Sequence, residues 1–207
     1  MSTPLFGASL EDRGGWISVE QSFEDGVAMF LGQGRERNIE RAIECFEFAA
    51  QRGHQQASLN LGFIYDTGIG RPADDREAAK WYRIAAEAGD PTALFNLGIL
   101  HEFGNGIETN HAQAADYYQR AARQGVAGAQ FNLANLYLKG LGVPRDPVLA
   151  EAWYLMAALQ SHPEALEQSE RLAEILSPEQ MEAAGQILRA FAADDFASVE
   201  QARGSEI

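Results

Sequence analysis

The 207-residue chain is short of three things, and each shortage closes off a class of protein. It has one cysteine, Cys45, so no disulfide can form within it, which suits a reducing compartment. It is short of cations: sixteen Lys and Arg stand against thirty Asp and Glu, a formal net charge of −14. A nucleic-acid binder needs a basic patch, and an anionic membrane surface attracts polybasic segments, so neither is expected as a partner. No apolar run approaches the roughly 18 residues of a membrane span. Met1 to Trp16 also lacks the charged and apolar regions of a secretory leader. The chain therefore reads as soluble and cytoplasmic. Its acidity is uneven: from Pro163 onward, ten acidic residues stand against three basic ones. The plainest reading is a solvated acidic tail. The overall charge favours a partner with a basic surface.

What is present is a repeat. Gly32, Gly68, Gly104 and Gly140 recur at intervals of 36, as do Gly34, Gly70, Gly106 and Gly142. Ala42, Ala78, Ala114 and Ala150 follow, then Ala49, Ala85, Ala121 and Ala157, with no gap needed to align them. Self-similarity at this length means stacked supersecondary units, none able to bury its apolar face alone. In the second unit, Ala57, Leu61, Ile64 and Tyr65 share a helical stripe, predicting a helix over about 56–67. Gly68 and Gly70 break it. A second helix begins after Asp74, in a column reading Asn38, Asp74, Asn110 and Asp146, all good N-caps. Glu77 and Gln113 stand where they would complete capping boxes, and Pro147 falls at the tolerated first helical position. Ala78, Trp81, Tyr82, Ala85 and Ala86 make the expected buried stripe. Gly53, Gly89, Gly125 and, in the fourth unit, Ser161 end the second helix.

This pattern predicts four two-helix repeats over 21–56, 57–92, 93–128 and 129–164, the first helix starting near Ser18 with Gln21 as box partner. Small residues such as Gly62, Gly98 and Ala134 should let helices approach closely. The pairs Trp81-Tyr82, Tyr117-Tyr118 and Trp153-Tyr154 should fill the space between neighbouring repeats. The first repeat departs, with Cys45-Phe46 in that column and Asp25 in place of a leucine, as a more polar end cap would. The period then fails, but helices continue. Ala165, Leu166, Leu172, Ala173 and Leu176 form one apolar set; after Ser177-Pro178-Glu179-Gln180, Met181, Ala184, Ile187, Leu188 and Phe191 form another. Residues 165–195 are thus expected to be C-terminal capping helices. Residues 1–17 are expected to be a partly disordered extension and 196–207 an acidic tail.

The segments ASLNLGFIYDTGIG and DDREAAKWYRIAAEAG, repeated as ALFNLGILHEFGNG with NHAQAADYYQRAARQG and AQFNLANLYLKGLG with DPVLAEAWYLMAALQS, resemble the Sel1-like repeat, a relative of the tetratricopeptide repeat. The resemblance covers about 21–164. It implies an all-α fold, a right-handed α-solenoid of helix-turn-helix repeats, and a role as an adaptor or scaffold in signalling and assembly, mostly in bacteria. Some secreted relatives carry a cysteine pair in each repeat and are linked to β-lactam binding; this chain lacks those cysteines. In related tetratricopeptide solenoids an asparagine on the first helix faces the concave groove and bonds the backbone of an extended peptide. The matching column here is Asn60, Asn96 and Asn132, with Glu24 in the first repeat. An amide offers donor and acceptor together and so matches a peptide unit; the alternative is that each Asn bonds a neighbouring helix and holds the stack. Around that column, Phe63, Phe95 and Phe131 are candidate anchors, with core packing favoured for the last two. Ile99 and Asn135 share the face, and Asp66 and Glu102 could pair with a basic ligand or remain solvated.

Nothing isolates a catalytic constellation. The glycine-rich turns lack the further glycine of a dinucleotide fingerprint and the Gly-Lys-Ser/Thr ending of a phosphate loop, and they recur with the helix turns. His54, His101, His111 and His162 make no metal-ligand spacing, and His101 takes the place of Tyr65 and Tyr137, as a core histidine would. Cys45 replaces a core aromatic and reads as a buried thiol. The expectation is a non-enzymatic protein-interaction module, a monomer in preference to an oligomer, with no cofactor and no metal, binding an extended peptide or partner helix on its concave face. The alternatives are an immunity or antitoxin-type inhibitor of a specific toxin, a scaffold that self-associates through its cap helices and, with no constellation behind it, a cell-wall-related hydrolase.

Overall fold

The computed structural model describes residues 18–34 and 36–193. The expected extension (1–17) and tail (196–207) lie outside these. The described residues form ten α-helices and no strand: α1 Val19–Leu31, α2 Ile39–Ala50, α3 Gln55–Thr67, α4 Asp75–Glu87, α5 Pro91–Phe103, α6 His111–Arg123, α7 Ala127–Lys139, α8 Pro147–Leu159, α9 Ala165–Ala173 and α10 Pro178–Ala192. They fall into two compact units, divided between Asp90 and Pro91. In the first, α1 packs on α2, α2 on α3, and α3 on α4; in the second, α5 to α8 pack in the same succession and α9 and α10 both cover α8.

Local chemistry sets the helix starts. Asn38, Asp74, Asn110 and Asp146 all sit at φ between −145 and −147°, and each side chain accepts a backbone N–H of the first turn. The box expected at Glu77 is not made; its half-buried carboxylate pairs forward with Lys80. The box is complete at Ser177 and Gln180. At α1, Ser18 accepts the Gln21 N–H, and the Gln21 amide donates to Asp25 at 3.3 Å.

The alanine columns carry the core. Ala42, Ala78, Ala114, Ala150, Ala49, Ala85, Ala121 and Ala157 are all 0% exposed. Tyr82, Tyr118 and Tyr154 are equally buried, but not where the sequence suggested. The rings of Tyr82 and Tyr118 lie directly on Gly62 and Gly98 of the first helix of the same hairpin, so closely that a Cβ at either glycine would overlap the ring. The rings of Tyr82 and Tyr118 therefore fill the inside of their own hairpins, and only the hydroxyl end of Tyr118 reaches the next repeat. Trp81 and Tyr117, one residue earlier and about 100° around the helix, are only half-buried. Each tyrosine contributes several kcal/mol by area, at about 25 cal/mol per Å².

The last repeat is closed differently. Trp153 is buried and stacks on Phe191 of α10 at 4.1 Å. Helix α9 is shorter than the expected 164–176 and buries Ala165, Ser169 and Leu172, a true helical stripe; Leu166, expected inside, is 56% exposed because it lies 100° off that stripe. Ser161, which replaces the glycine ending the other second helices, is the one non-glycine with positive φ (62°) among the described residues. Gly142 (φ 71°) rests on the backbone of His111, where any side chain would collide.

Candidate protein-interaction surface

The first unit holds an apolar groove of about 310 Å³, lined by Val27, Phe30 and Leu31 of α1, Phe46 of α2, and Asn60, Phe63 and Ile64 of α3. It opens between the first helices of two successive repeats. Phe63 and Leu31 are exposed on its rim, at 46% and 54%. Asn60 is the polar group in its wall. Phe46 offers that amide no hydroxyl, being the one member of its column that is not a tyrosine. Exposed Glu24 lies one helical turn from Val27.

Advancing every lining residue by 72 positions gives the same place in the second unit, and there it is tied up. The Tyr118 hydroxyl donates to Glu102 Oε2 at 2.7 Å and also bonds Asn132. Burial first, then the Glu102 carboxylate, hold the Tyr118 phenol well above its usual range. Asn132 thus bonds a helix of the preceding repeat, the stack-holding arrangement. In the fourth repeat the position matching Glu102 is Leu138, and Asn135 takes over, its Oδ1 accepting from the Tyr154 hydroxyl at 2.8 Å. Burial, then the Glu151 charge, push Tyr154 up to about 12. In the first unit Asp66 accepts from Tyr82 at 3.2 Å, and burial, more than any neighbour, raises its carboxyl.

The candidate residues thus divide. Asn60 and Phe63 come together in the groove. Asp66, Glu102, Asn132 and Asn135 have tyrosine hydroxyl partners. Phe95 is half-buried against Gly128 and the Tyr118 ring (6.0 Å), and Phe131 is half-buried between Tyr154 (5.6 Å) and His162 (4.4 Å). Asn96 and Ile99 are half-buried on α5. His101 is buried and stacks on Tyr117 at 5.5 Å, and the Cys45 thiol is buried and pushed up chiefly by that burial. The groove itself went unseen in the sequence, although Phe46 in a tyrosine column was its signal. The tyrosine partnerships were also missed; their signal is an acid 16 positions before Tyr82 and Tyr118. The first repeat is accordingly not simply a more polar cap, since it carries the exposed apolar groove.

Successive two-helix hairpins with small-residue seams define an all-α helical-repeat protein. The chain belongs to the Sel1-repeat family, whose model matches residues 23–54, 55–90, 91–126 and 127–162. Proteins of this family typically mediate protein–protein interaction. Among solved structures, the chain is 31% identical to c5321, a protective antigen present in uropathogenic Escherichia coli strains and displaying the same type of repeat fold; the match covers 88% of this chain and 38% of that one, with a TM-score of 0.75. A Sel1 repeat protein from Oxalobacter formigenes is 29% identical over 75% of this chain and 46% of its own, with a TM-score of 0.69. This chain therefore spans less than half the length of either. An immunity protein from Pseudomonas aeruginosa is 22% identical with a TM-score of 0.37, over 93% of this chain and 89% of its own, too distant to bear on function. No functionally curated protein is similar enough to match. Among the described residues, no helix is long and apolar enough to cross a membrane.

Proposed function

We propose that the chain is a non-enzymatic interaction module, and that its first unit receives a bulky apolar side chain of an extended peptide or partner helix in the groove between α1 and α3. The observation that carries this reading is the groove itself: an open apolar slot with exposed Phe63 and Leu31 at its rim and one amide, Asn60, in its wall. Large apolar anchors in pockets dominate interface energetics, and an Asn amide can bond a peptide unit without reading its side chain. The net charge of −14 and Glu24 beside the groove favour a partner with basic residues flanking its anchor. Several of the polar groups a reaction would need are already committed to structural bonds: Glu102 to Tyr118, Asp66 to Tyr82, Asn135 to Tyr154.

The test is a peptide-display selection against the folded chain, followed by titration of the selected peptides by fluorescence anisotropy. Selected sequences should share one large apolar residue with a basic neighbour. Phe63→Ser and Asn60→Ala should each weaken binding about tenfold or more with Tm nearly unchanged, since Phe63 is exposed. Binders indifferent to both substitutions would place the interaction elsewhere.

A further inference from the structure

Each repeat buries one further position on its second helix, next to the first alanine column. It is Ile43, Ala79 and Ala115 in three repeats and Glu151 in the fourth; the glutamate is the most deeply buried of the four, at 0% exposed. Its Oε1 accepts from the Ser169 hydroxyl of α9 at 2.6 Å, and Ser169 is itself buried, centred in the stripe that seats α9 on α8. Its Oε2 is buried with no hydrogen-bond partner among the described residues.

Among the described residues, no cation accompanies this carboxyl in the interface. On α8 its titratable neighbour is Tyr154, whose phenol feels the Glu151 charge. Helix α7 brings buried Tyr137 and exposed Lys139; α9 brings Glu167, Glu170 and Arg171, all exposed, with Arg171 bonded to Glu167 at 2.6 Å; α10 brings Glu179, Glu182 and Arg189, also exposed. The influences on the Glu151 carboxyl are burial first, which raises it, then the Ser169 hydroxyl, which lowers it. One hydrogen bond does not compensate an ionised carboxylate in such a site. Burying the acid is cheap only while it holds its proton.

We propose that Glu151 and Ser169 form a proton-operated latch on the C-terminal cap: with the carboxyl protonated, α9 lies docked on α8, and loss of the proton loosens α9 together with the α10 that follows it. In the other three repeats the residue at this position is apolar and has no proton to lose, whatever layer follows. The acid occurs only where that layer is the cap.

The sign follows from linkage. A folded-state carboxyl raised above its unfolded value of 4.5 keeps its proton longer than the unlatched chain does. Docking is therefore strongest at low pH and weakens as pH rises from the unfolded value through the folded one, by up to tenfold in the docking constant per pH unit for one proton. Hydrogen exchange of the whole chain read by mass spectrometry from pH 5 to 9, corrected for intrinsic exchange, measures this directly. The protection of 165–173 should fall by up to tenfold per pH unit over part of the range while that of α6 stays level. Glu151→Gln, and Glu151→Ala (the residue at positions 79 and 115), should flatten the α9 profile. Ser169→Ala removes the bond that favours the ionised form and should extend the decline to higher pH. An α9 protection factor constant across the range in the natural chain, or the same slope in Glu151→Gln, overturns the latch.

Discussion

The two units place the same structural position under opposite chemistry. In the first, Phe30, Phe46 and Phe63 surround Asn60 and leave an open slot. In the second, the corresponding residues are Glu102, Tyr118 and Asn135 around Asn132, and Tyr118 is bonded by both Glu102 and Asn132. The backbones share one repeat, so the difference lies in three phenylalanines exchanged for polar residues. A phenol hydroxyl in a buried setting needs partners, and the second unit supplies them from its side-chain amides and acids. Without that hydroxyl, the first unit keeps its amide and its apolar wall for something else. In a repeat protein, then, a column of one residue type marks structure, and a single departure within it marks the place to look for function.

Carrying the second unit's residues into the first should have the largest effect. The triple change Phe30→Glu, Phe46→Tyr and Phe63→Asn should abolish anchor binding, at least tenfold by anisotropy, with the helical circular dichroism retained. Unchanged affinity would disconnect the slot from binding. Next in size, Tyr118→Phe leaves Glu102 and Asn132 without their shared hydroxyl and should cost about 1–3 kcal/mol in a urea titration, whereas Phe46→Tyr in the other unit should cost less. Alkaline titration sharpens the contrast further. Tyr154 is held up to about 12, above its ordinary value of 10. Its contribution is whole below about pH 10 and is lost as pH rises through about 12, because the folded chain holds the proton longer. Tyr154→Phe should shallow that decline, followed by Trp153 fluorescence; an unchanged slope would remove Tyr154 from the account. The smallest effect is expected at the end of α8, where Ser161 stands at φ 62° in the column that Gly53 fills in the first unit. Ser161→Gly should raise stability by about 0.5–1 kcal/mol, read as a higher urea midpoint.

Much of the architecture was legible because it depends on local chemistry and period. The Asn and Asp caps, the glycine turns and the alanine columns each act within a few residues, and copying them at 36 makes them hard to mistake. Which neighbour an aromatic side chain meets was less legible. The two residues Trp81 and Tyr82 are adjacent in sequence, and only helix rotation decides that Tyr82 enters its own hairpin while Trp81 does not. Leu166 misled for a related reason: its type suggested burial, but it lies off the stripe made by Ala165, Ser169 and Leu172. The candidate surface was legible only in part. Asn60 and Phe63 could be named from their columns, but the slot between them depends on what Phe46 lacks, and an absence is easily passed over when scanning for motifs. No motif or column marked Glu151 in the sequence, because its burial comes from the packing of α9 on α8.

The seat of Gly142 on the backbone of His111 bears on how such a chain can change its length. A turn pressed against the neighbouring repeat leaves no slack for one added or deleted residue, since either would shift every layer after it. At this turn, whole 36-residue blocks should therefore be easier to gain or lose than single residues.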